Sequence, residues 1–593
     1  MKKLYYNIVY AICVIAGFSS CSDFLVIEPQ NEIIFEKFWN EKADVEAIIA
    51  GCYSGMQEEA VIKRMMVWGE FRSDNIGPGS NVTSDANLER VLDENIDAKN
   101  TYTDWKDFYS VINRCNTVIK YAPDVAAKDA AYLESELQAH IAEMVTLRSL
   151  CYFYLIRAFR DVPFSREAFI DDSQKMDLPA TKFDAVLDSL INDLESVKGK
   201  AVKRYPETKE LYQTGRITQD AIHALLCELY LWKKDYDKCI YYADLVIDSK
   251  KAIYKENHES STSSVSSEDN IDYFNGYPLV SNKLRGSNLY GAAYETLFGR
   301  DRYNTDEVNQ EIIFQLVYDD SPNSNGMIAN GAVNSFYGNS NADVGLVAPS
   351  DFILDDIELS NGRQVFDDKN KKLDSRMYIN CNTEEGSINK YTTREIEISA
   401  IGTTPDNITY YSKYTQNQNG SNWIIYRLTD IMLLKAEALT QKIQEGEDAE
   451  TSNYNKSLMD QAFSLVNAVN KRALCQNLAQ LTDTLTRGSY TSKENFEELV
   501  LKERQRELMF EGKRWFDLVR YSQRKGNTDK IAEFAMRKHK SGKTGEGMIA
   551  NHLKKMDAIY WPYNLDETKV NLNLEQNSAF GSGEDDSYKK TTK

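Results

Sequence analysis

Asp93-x-Asn95-x-Asp97, with Asp104 following, puts oxygen ligands at positions 1, 3, 5 and 12 of a calcium-type loop. Position 6 of such a loop needs glycine for its turn and here holds Ala98, and no clear helix leads in. A solvated acidic loop is therefore the stronger expectation, with calcium as a weak candidate cofactor. Gly542-Lys543-Thr544 has the ending of a phosphate loop, but its upstream glycine is replaced by Arg537 and no apolar strand precedes it, so it is set aside. The run from Glu503 to Arg520 is dense in charge and could hold a carboxylate pair for acid–base work. The stronger expectation is ion pairs, Glu503 with Arg506 or Glu507 with Lys513, along a helix ending near Gly512. The five histidines (140, 223, 258, 539 and 552) are scattered, and neither HExxH nor GxSxG occurs. No nucleophile with its base can be assembled. The expectation is a protein that is not an enzyme and has no resident cofactor.

Among the nine cysteines there is no CxxC and no histidine at zinc spacing. Cys151, Cys227 and Cys239 lie in apolar helical contexts and are expected to be small buried residues. Cys21 differs. It follows a basic start, Lys2-Lys3, an apolar run over residues 8–18, and the small residues Ser19 and Ser20. The run is too short for a bilayer, which takes about 20 residues, and suits the apolar part of a secretory signal. Phe18-Ser19-Ser20-Cys21 is similar to a bacterial lipobox, with Phe in place of the usual Leu. It predicts cleavage of residues 1–20 and lipidation of Cys21, giving a body anchored to a membrane by acyl chains.

Several elements must carry the remaining chemistry. Leu147, Leu150, Cys151, Tyr154, Leu155, Ala158 and Phe159 recur at helical spacing and predict a helix over 140–160, ended by Asp161-Val162-Pro163. Residues 216–249 predict two helices joined by a turn at Lys233-Lys234-Asp235, a unit similar to a tetratricopeptide hairpin. A second hairpin is predicted from Ile431, Leu434 and Ala438 with Ala462, Leu465, Val466, Val469 and Ala473. Residues 105–120 and 140–160 form a candidate third pair. Residues 74–100, rich in Asn, Asp, Ser and Gly, read as a long loop, and loops of that length in compact domains are usually functional. Residues 251–425 read as a loop-rich insert with a few short strands, such as the run at Ile312–Val317. The net charge of −20 argues against nucleic acid as a partner.

Six segments in order resemble the SusD/RagB family of surface lipoproteins. They are Phe38-Trp39 with Gly51-Cys52-Tyr53; Trp105 to Asn116; Glu143 to Pro163; Tyr426 to Ala438; Glu503 to Arg520; and Trp561-Pro562 with Asn571 to Asn577. Departures are Arg160, where glycine is common, and Ser578, where proline is usual. The resemblance covers nearly the whole chain after Cys21. It implies an all-α, mainly helical fold: a scaffold of four tetratricopeptide-like hairpins carrying a loop-rich ligand-binding insert with short strands. Beyond the signal peptide, residues 21–593 then form one domain, with an N-terminal helical part (21–250), a central loop-rich part (251–425) and a C-terminal helical part (426–593).

The resemblance also implies a place at the outer membrane, facing outward on a lipid anchor, with a SusC-like TonB-dependent barrel as partner and an oligosaccharide as ligand. Sugar recognition stacks C–H faces on aromatic rings while Asn, Asp and Arg take the hydroxyls. Trp68, Arg72, Asp74 and Asn75 flank the 74–100 loop, and Tyr273, Tyr277, Tyr290, Phe336, Tyr337 and Trp423 sit among Gly, Asn and Ser. These ten are the candidate ligand residues, each aromatic weighed against core packing; Trp105 and Trp515 are assigned to the core. The alternatives are a peptide ligand on the same fold, as in the RagB branch, a secreted hydrolase using acidic residues, and a pure assembly scaffold.

Overall fold

The computed structural model describes residues 38–581 apart from 172, 260–272, 275, 284–288, 300–304, 319–328, 341–342, 354–364, 367–373, 383–385, 401–407, 415–419, 447–451, 476–484 and 539–545. Residues 1–20, expected to be a signal peptide, and Cys21 lie outside the described residues. Ten helices build the frame: α1 (Lys42–Gln57), α2 (Glu59–Met66), α3 (Lys106–Lys128), α4 (Glu134–Phe159), α5 (Phe183–Val197), α6 (Gln219–Lys233), α7 (Tyr236–Glu259), α8 (Leu428–Gln441), α9 (Asn453–Arg472) and α10 (Lys493–Leu508). Apart from α2, they pack in series: α1 on α3, α3 on α4, α4 on α5, α5 on α6, α6 on α7, α7 on α8, and α8 on both α9 and α10. Of the four hairpins expected, the three read from spacing, α3–α4, α6–α7 and α8–α9, are present, and the fold is mainly helical as expected.

Local chemistry sets the ends of these helices. Thr218 caps α6 by accepting from the Ala221 amide, and Ser492 caps α10 by accepting from the Asn495 amide. The predicted turn between α6 and α7 is made by Lys234 in the left-handed region (φ 65°), with Asp235 accepting from the Lys238 amide. Helix α4 departs from expectation. Its apolar stripe predicts one buried face, yet every residue from Ala142 to Phe159 is buried. A helix packed on both sides buries its whole circumference; α3 lies on one flank and α5 on the other.

The central part is bound into this frame by short antiparallel ladders. Strand β1 (Ile76–Pro78) pairs with β4 (Val347–Pro349). Strands β2 (Leu289–Tyr290), β5 (Thr393–Ala400) and β6 (Ile408–Tyr414) form a three-stranded sheet with β5 central. Strand β3 (Ile312–Leu316) pairs with β7 (Trp423–Arg427), and both are buried at every position. Strands buried at every position are covered on both faces, and their polar side chains are paired inside: Gln315 donates to Thr214 and Arg427 to Glu507. The predicted 74–100 loop is more ordered than expected: it contains β1 and a helix over Ala86–Leu92 that Asp85 caps. All seven described cysteines are buried and free, Cys151, Cys227 and Cys239 among them.

Candidate functional site

The start of the 74–105 segment is locked to the C-terminal helices. After α2 the backbone widens into a π-turn at Val67–Phe71, which aims Glu70 inward. One Glu70 oxygen accepts from the Phe510 amide at 3.0 Å, and the other from the amides of Lys513 and Arg514 at 3.0 and 3.2 Å. These amides precede and open the helix α11 (Arg514–Lys525), so Glu70 caps it from more than 400 residues away in the chain. Asn75 also donates to Glu70 at 2.7 Å. Burial nonetheless raises the Glu70 pKa against these hydrogen bonds. Beside it the backbones of Gly69 and Gly512 touch: a Cβ on Gly69 would lie 1.9 Å from the Gly512 carbonyl oxygen.

This clasp consumes the first four candidate ligand residues, which corrects their expected role. Trp68 is fully buried, donates Nε1–H to the Tyr102 carbonyl, and packs edge-on to Phe159. Arg72 lies over the Trp515 ring, forms an ion pair with Glu94 at 2.7 Å, and donates to the carbonyls of Ala558 and Ile559. Asp74 accepts from Arg514 and Gln505, and Asn75 accepts from Gln505. All four are 0 % exposed; they hold the segment rather than meet a ligand.

The central aromatics behave in the same way. Phe336 packs edge-on to Phe71, and Tyr337 donates to the Phe510 carbonyl at 2.9 Å. Trp423 is stacked on Tyr391 at 5.4 Å, and Tyr290 is buried in the sheet beside Ile398. These four are core residues, as are Trp105 and Trp515. Tyr277 is half-buried with Lys251 over its ring. Tyr273 belongs to a two-residue strand, and its side chain lies outside the described part. Physically, the Gly- and Asn-rich surroundings come from tight turns and strand ends, which need their aromatics inside.

The calcium candidates do not converge. Asp97 pairs with Arg90 at 2.6 Å, and Asp104 with Lys106 at 3.0 Å. Asn95 uses its backbone carbonyl to accept from Arg90. Among the described residues, no group of three or more His, Cys, Asp or Glu could hold a metal ion.

The charged run of α10 is a buried junction. Glu503 pairs with Arg506 at 2.6 Å, as its spacing predicts. Glu507 does not meet Lys513; it binds Arg427 at 2.6 Å and Arg376 at 3.1 Å, and also Arg472, while Lys513 pairs with Asp430 at 2.8 Å. The expected pair fails because residues six apart do not share a helix face, the chain leaves the helix at Leu508, and partners arrive from β7, α9 and the central part. Burial by itself would raise Glu507, but Arg472, Arg427 and Arg376 hold it well below the usual carboxylate range. Burial likewise opposes ionisation of Asp430, yet Lys513 and Arg504 keep it down at about 2. These carboxylates are ionised and fully paired, the state of structural charges.

Among the described residues two surfaces stand out. One is the outer rim of the 78–105 segment beside the β1–β4 ladder. Thr83, Ser84, Glu89 and Lys99 are exposed there, and Asp85 accepts from the Tyr102 hydroxyl at 2.6 Å. This rim is where the two loop-rich regions meet, held rigid from below by the clasp. The other is a tyrosine and arginine platform at Tyr205, Tyr212 and Arg216, which the sequence reading missed. Its signal was a stretch between two helices, Lys203-Arg204-Tyr205-Pro206, that breaks helical periodicity while carrying rings and cations.

A series of antiparallel helices with a loop-derived face locked onto it defines a helical-hairpin binding fold. Residues 310–580 match the SusD family, and residues 23–231 match a second family described as "Starch-binding associating with outer membrane". The chain belongs to the SusD/RagB family. The SusD-like protein P38 of Formosa agariphila is 25% identical over 531 residues, covering 87% of this chain and 91% of that protein. A SusD superfamily protein from Bacteroides thetaiotaomicron VPI-5482 superposes with a TM-score of 0.57 at 19% identity, covering 92% of this chain and 99% of the other. A structure described as a laminarin-binding SusD-like protein superposes with a TM-score of 0.55 at 18% identity, covering 91% of this chain and 100% of the other.

Proposed function

We propose that this chain is an outer-membrane lipoprotein that binds an oligosaccharide at the cell surface and passes it to a SusC-like TonB-dependent barrel without cleaving it. The observation that carries the reading is the match of residues 23–231 to the family described as starch-binding and associating with the outer membrane. The laminarin-binding relative of the same fold supports it. Cys21, acylated after loss of residues 1–20, is the anchor, and the polar rim of the 78–105 segment is the ligand face. Hydroxyl and amide groups fixed on a rigid support suit a ligand that presents many hydroxyls, because little ordering entropy is lost on binding. The engagement of Glu507, Asp430 and Glu70 in internal pairs fits a binder rather than a catalyst.

The test is to incubate the purified mature chain with glycan and peptide libraries, then measure both binding and products. Saccharide binding with no shortened product is the expected result. Release of fragments, or binding of peptides alone, overturns the reading. In cells, Cys21→Ala is expected to move the chain from the outer-membrane fraction to the soluble fraction.

A further inference from the structure

Arg216 lies just before α6, at the end of a short helical turn over Tyr212–Gly215. Its Nε and Nη2 donate side-on to the Glu143 carboxylate at 2.8 and 2.5 Å. Glu143 is buried on α4 and also accepts from the Tyr53 hydroxyl of α1. The guanidinium is thus fixed in orientation, and its end-on edge, Nη1 with the second hydrogen of Nη2, is left over. Among the described residues Nη1 has no hydrogen-bond partner. The guanidinium carbon stands 5.2 Å from the Tyr212 ring and 5.9 Å from the Tyr205 ring. The two rings meet edge-to-face at 5.6 Å. Tyr212 is 39 % exposed and Tyr205 partly so.

The platform is firmly held. The Tyr205 amide donates to Gln213, Thr214 accepts from Gln315 of β3, and the Ile217 amide donates to the Tyr53 hydroxyl. Exposed rings beside a fixed guanidinium edge offer two contacts at once: a stacking surface for C–H groups, and paired N–H donors matched to a carboxylate. Lys209 Nζ stands 5.6 Å from the Tyr212 ring, so a second cation lies beside the guanidinium fork and favours an anionic sugar at this platform.

We infer that Tyr205, Tyr212 and Arg216 form a second saccharide contact, separate from the 78–105 rim, that takes a uronic-acid residue: the sugar ring stacks on Tyr212 and its carboxylate docks end-on to Arg216. This rests on the reading of the chain as a glycan binder. The test is calorimetric titration of the mature chain with trisaccharides of galacturonate, glucuronate and mannuronate, and with neutral galactotriose. At least one uronate is expected to bind, with the neutral sugar about tenfold weaker and Tyr212→Ala and Arg216→Lys each costing about tenfold. Tyr212 is at the surface, so an unchanged melting temperature in Tyr212→Ala certifies the fold. Uronate affinity within twofold of wild type in Tyr212→Ala overturns the inference, as does equal affinity for galactotriose. If other glycans bind and no uronate does, the second contact fails while the glycan reading stands; if peptides alone bind, the glycan reading itself fails.

Discussion

The hairpin α6–α7 and the junction around α10 are both helical and both have a buried interior, yet those interiors are held by opposite means. In the hairpin the packed side chains are Leu225, Leu226, Leu229, Ala243 and Val246, with Cys227 and Cys239 filling small gaps. Such a core tolerates loss of any one residue in proportion to the volume removed. Around α10 the packed groups are Arg376, Lys390, Arg427 and Arg472 against Glu311, Glu503, Glu507 and Glu511, with every one of these side chains at 0 % exposure. An ionic core is neutral only as a set, so losing one member strands the others in a low dielectric. The contrast shows why the central insert can be loop-rich and still well placed: it is tied down by directional charge pairs at a few points, where the hairpins are tied by continuous apolar contact.

Four experiments break or sharpen this contrast. The largest effect is expected from Glu507→Gln, which leaves three arginines short of a charge and should lower unfolding free energy by about 3–5 kcal/mol in urea titrations. Leu226→Ala, a plain cavity in the hairpin, should follow at about 2–4 kcal/mol. If Leu226→Ala proved the more damaging, the ionic junction would not be the tighter constraint.

A smaller, pH-dependent loss is expected at His140 on α4. Burial pushes this imidazole down to about 4 from an ordinary value of 6.5, and its Nδ1 meets the Tyr132 hydroxyl at 2.9 Å. Between those values the unfolded chain binds a proton that the folded chain does not. Stability should therefore fall as pH drops from 6.5 towards 4, by about 2–3 kcal/mol. Denaturation midpoints of wild type and His140→Gln at pH 7 and pH 4.5 check this: the variant should lose less. The smallest change is a gain. Arg160 ends α4 at φ 70°, with the Asp161 amide donating to the Phe159 carbonyl in a tight γ-turn. Arg160→Gly should release about 1 kcal/mol of backbone strain. The exposed pair of Arg160 with Asp557 at 3.0 Å offsets little of that. A melting temperature that stays put or falls would show the turn to be unstrained.

The hairpins were legible because periodicity is local: Leu147 to Phe159 announce a helix whatever surrounds them. The pairing of Glu503 with Arg506, one helical turn apart, was readable for the same reason. The ligand face was the weak point. Asn, Gly and aromatic content around Phe336, Tyr337 and Trp423 is the same for a ligand site and for a turn packed on a core, so composition could not separate them. The partner of Glu507 was unreadable too, because Arg427 lies 80 residues away and reaches it through β7.

What the amino-acid order settled on its own is the three helical hairpins and the membership of a family, since each rests on spacing within a few turns of chain; α5, which packs between α4 and α6, was not foreseen. Which charged and aromatic residues face inward was decided only when distant segments met. Asn75 and Gln505, 430 residues apart, share a hydrogen bond at 2.8 Å, and Glu70 finds its amides beyond α10. A polar side chain is buried only where its partner is delivered, and that delivery is a property of the folded whole.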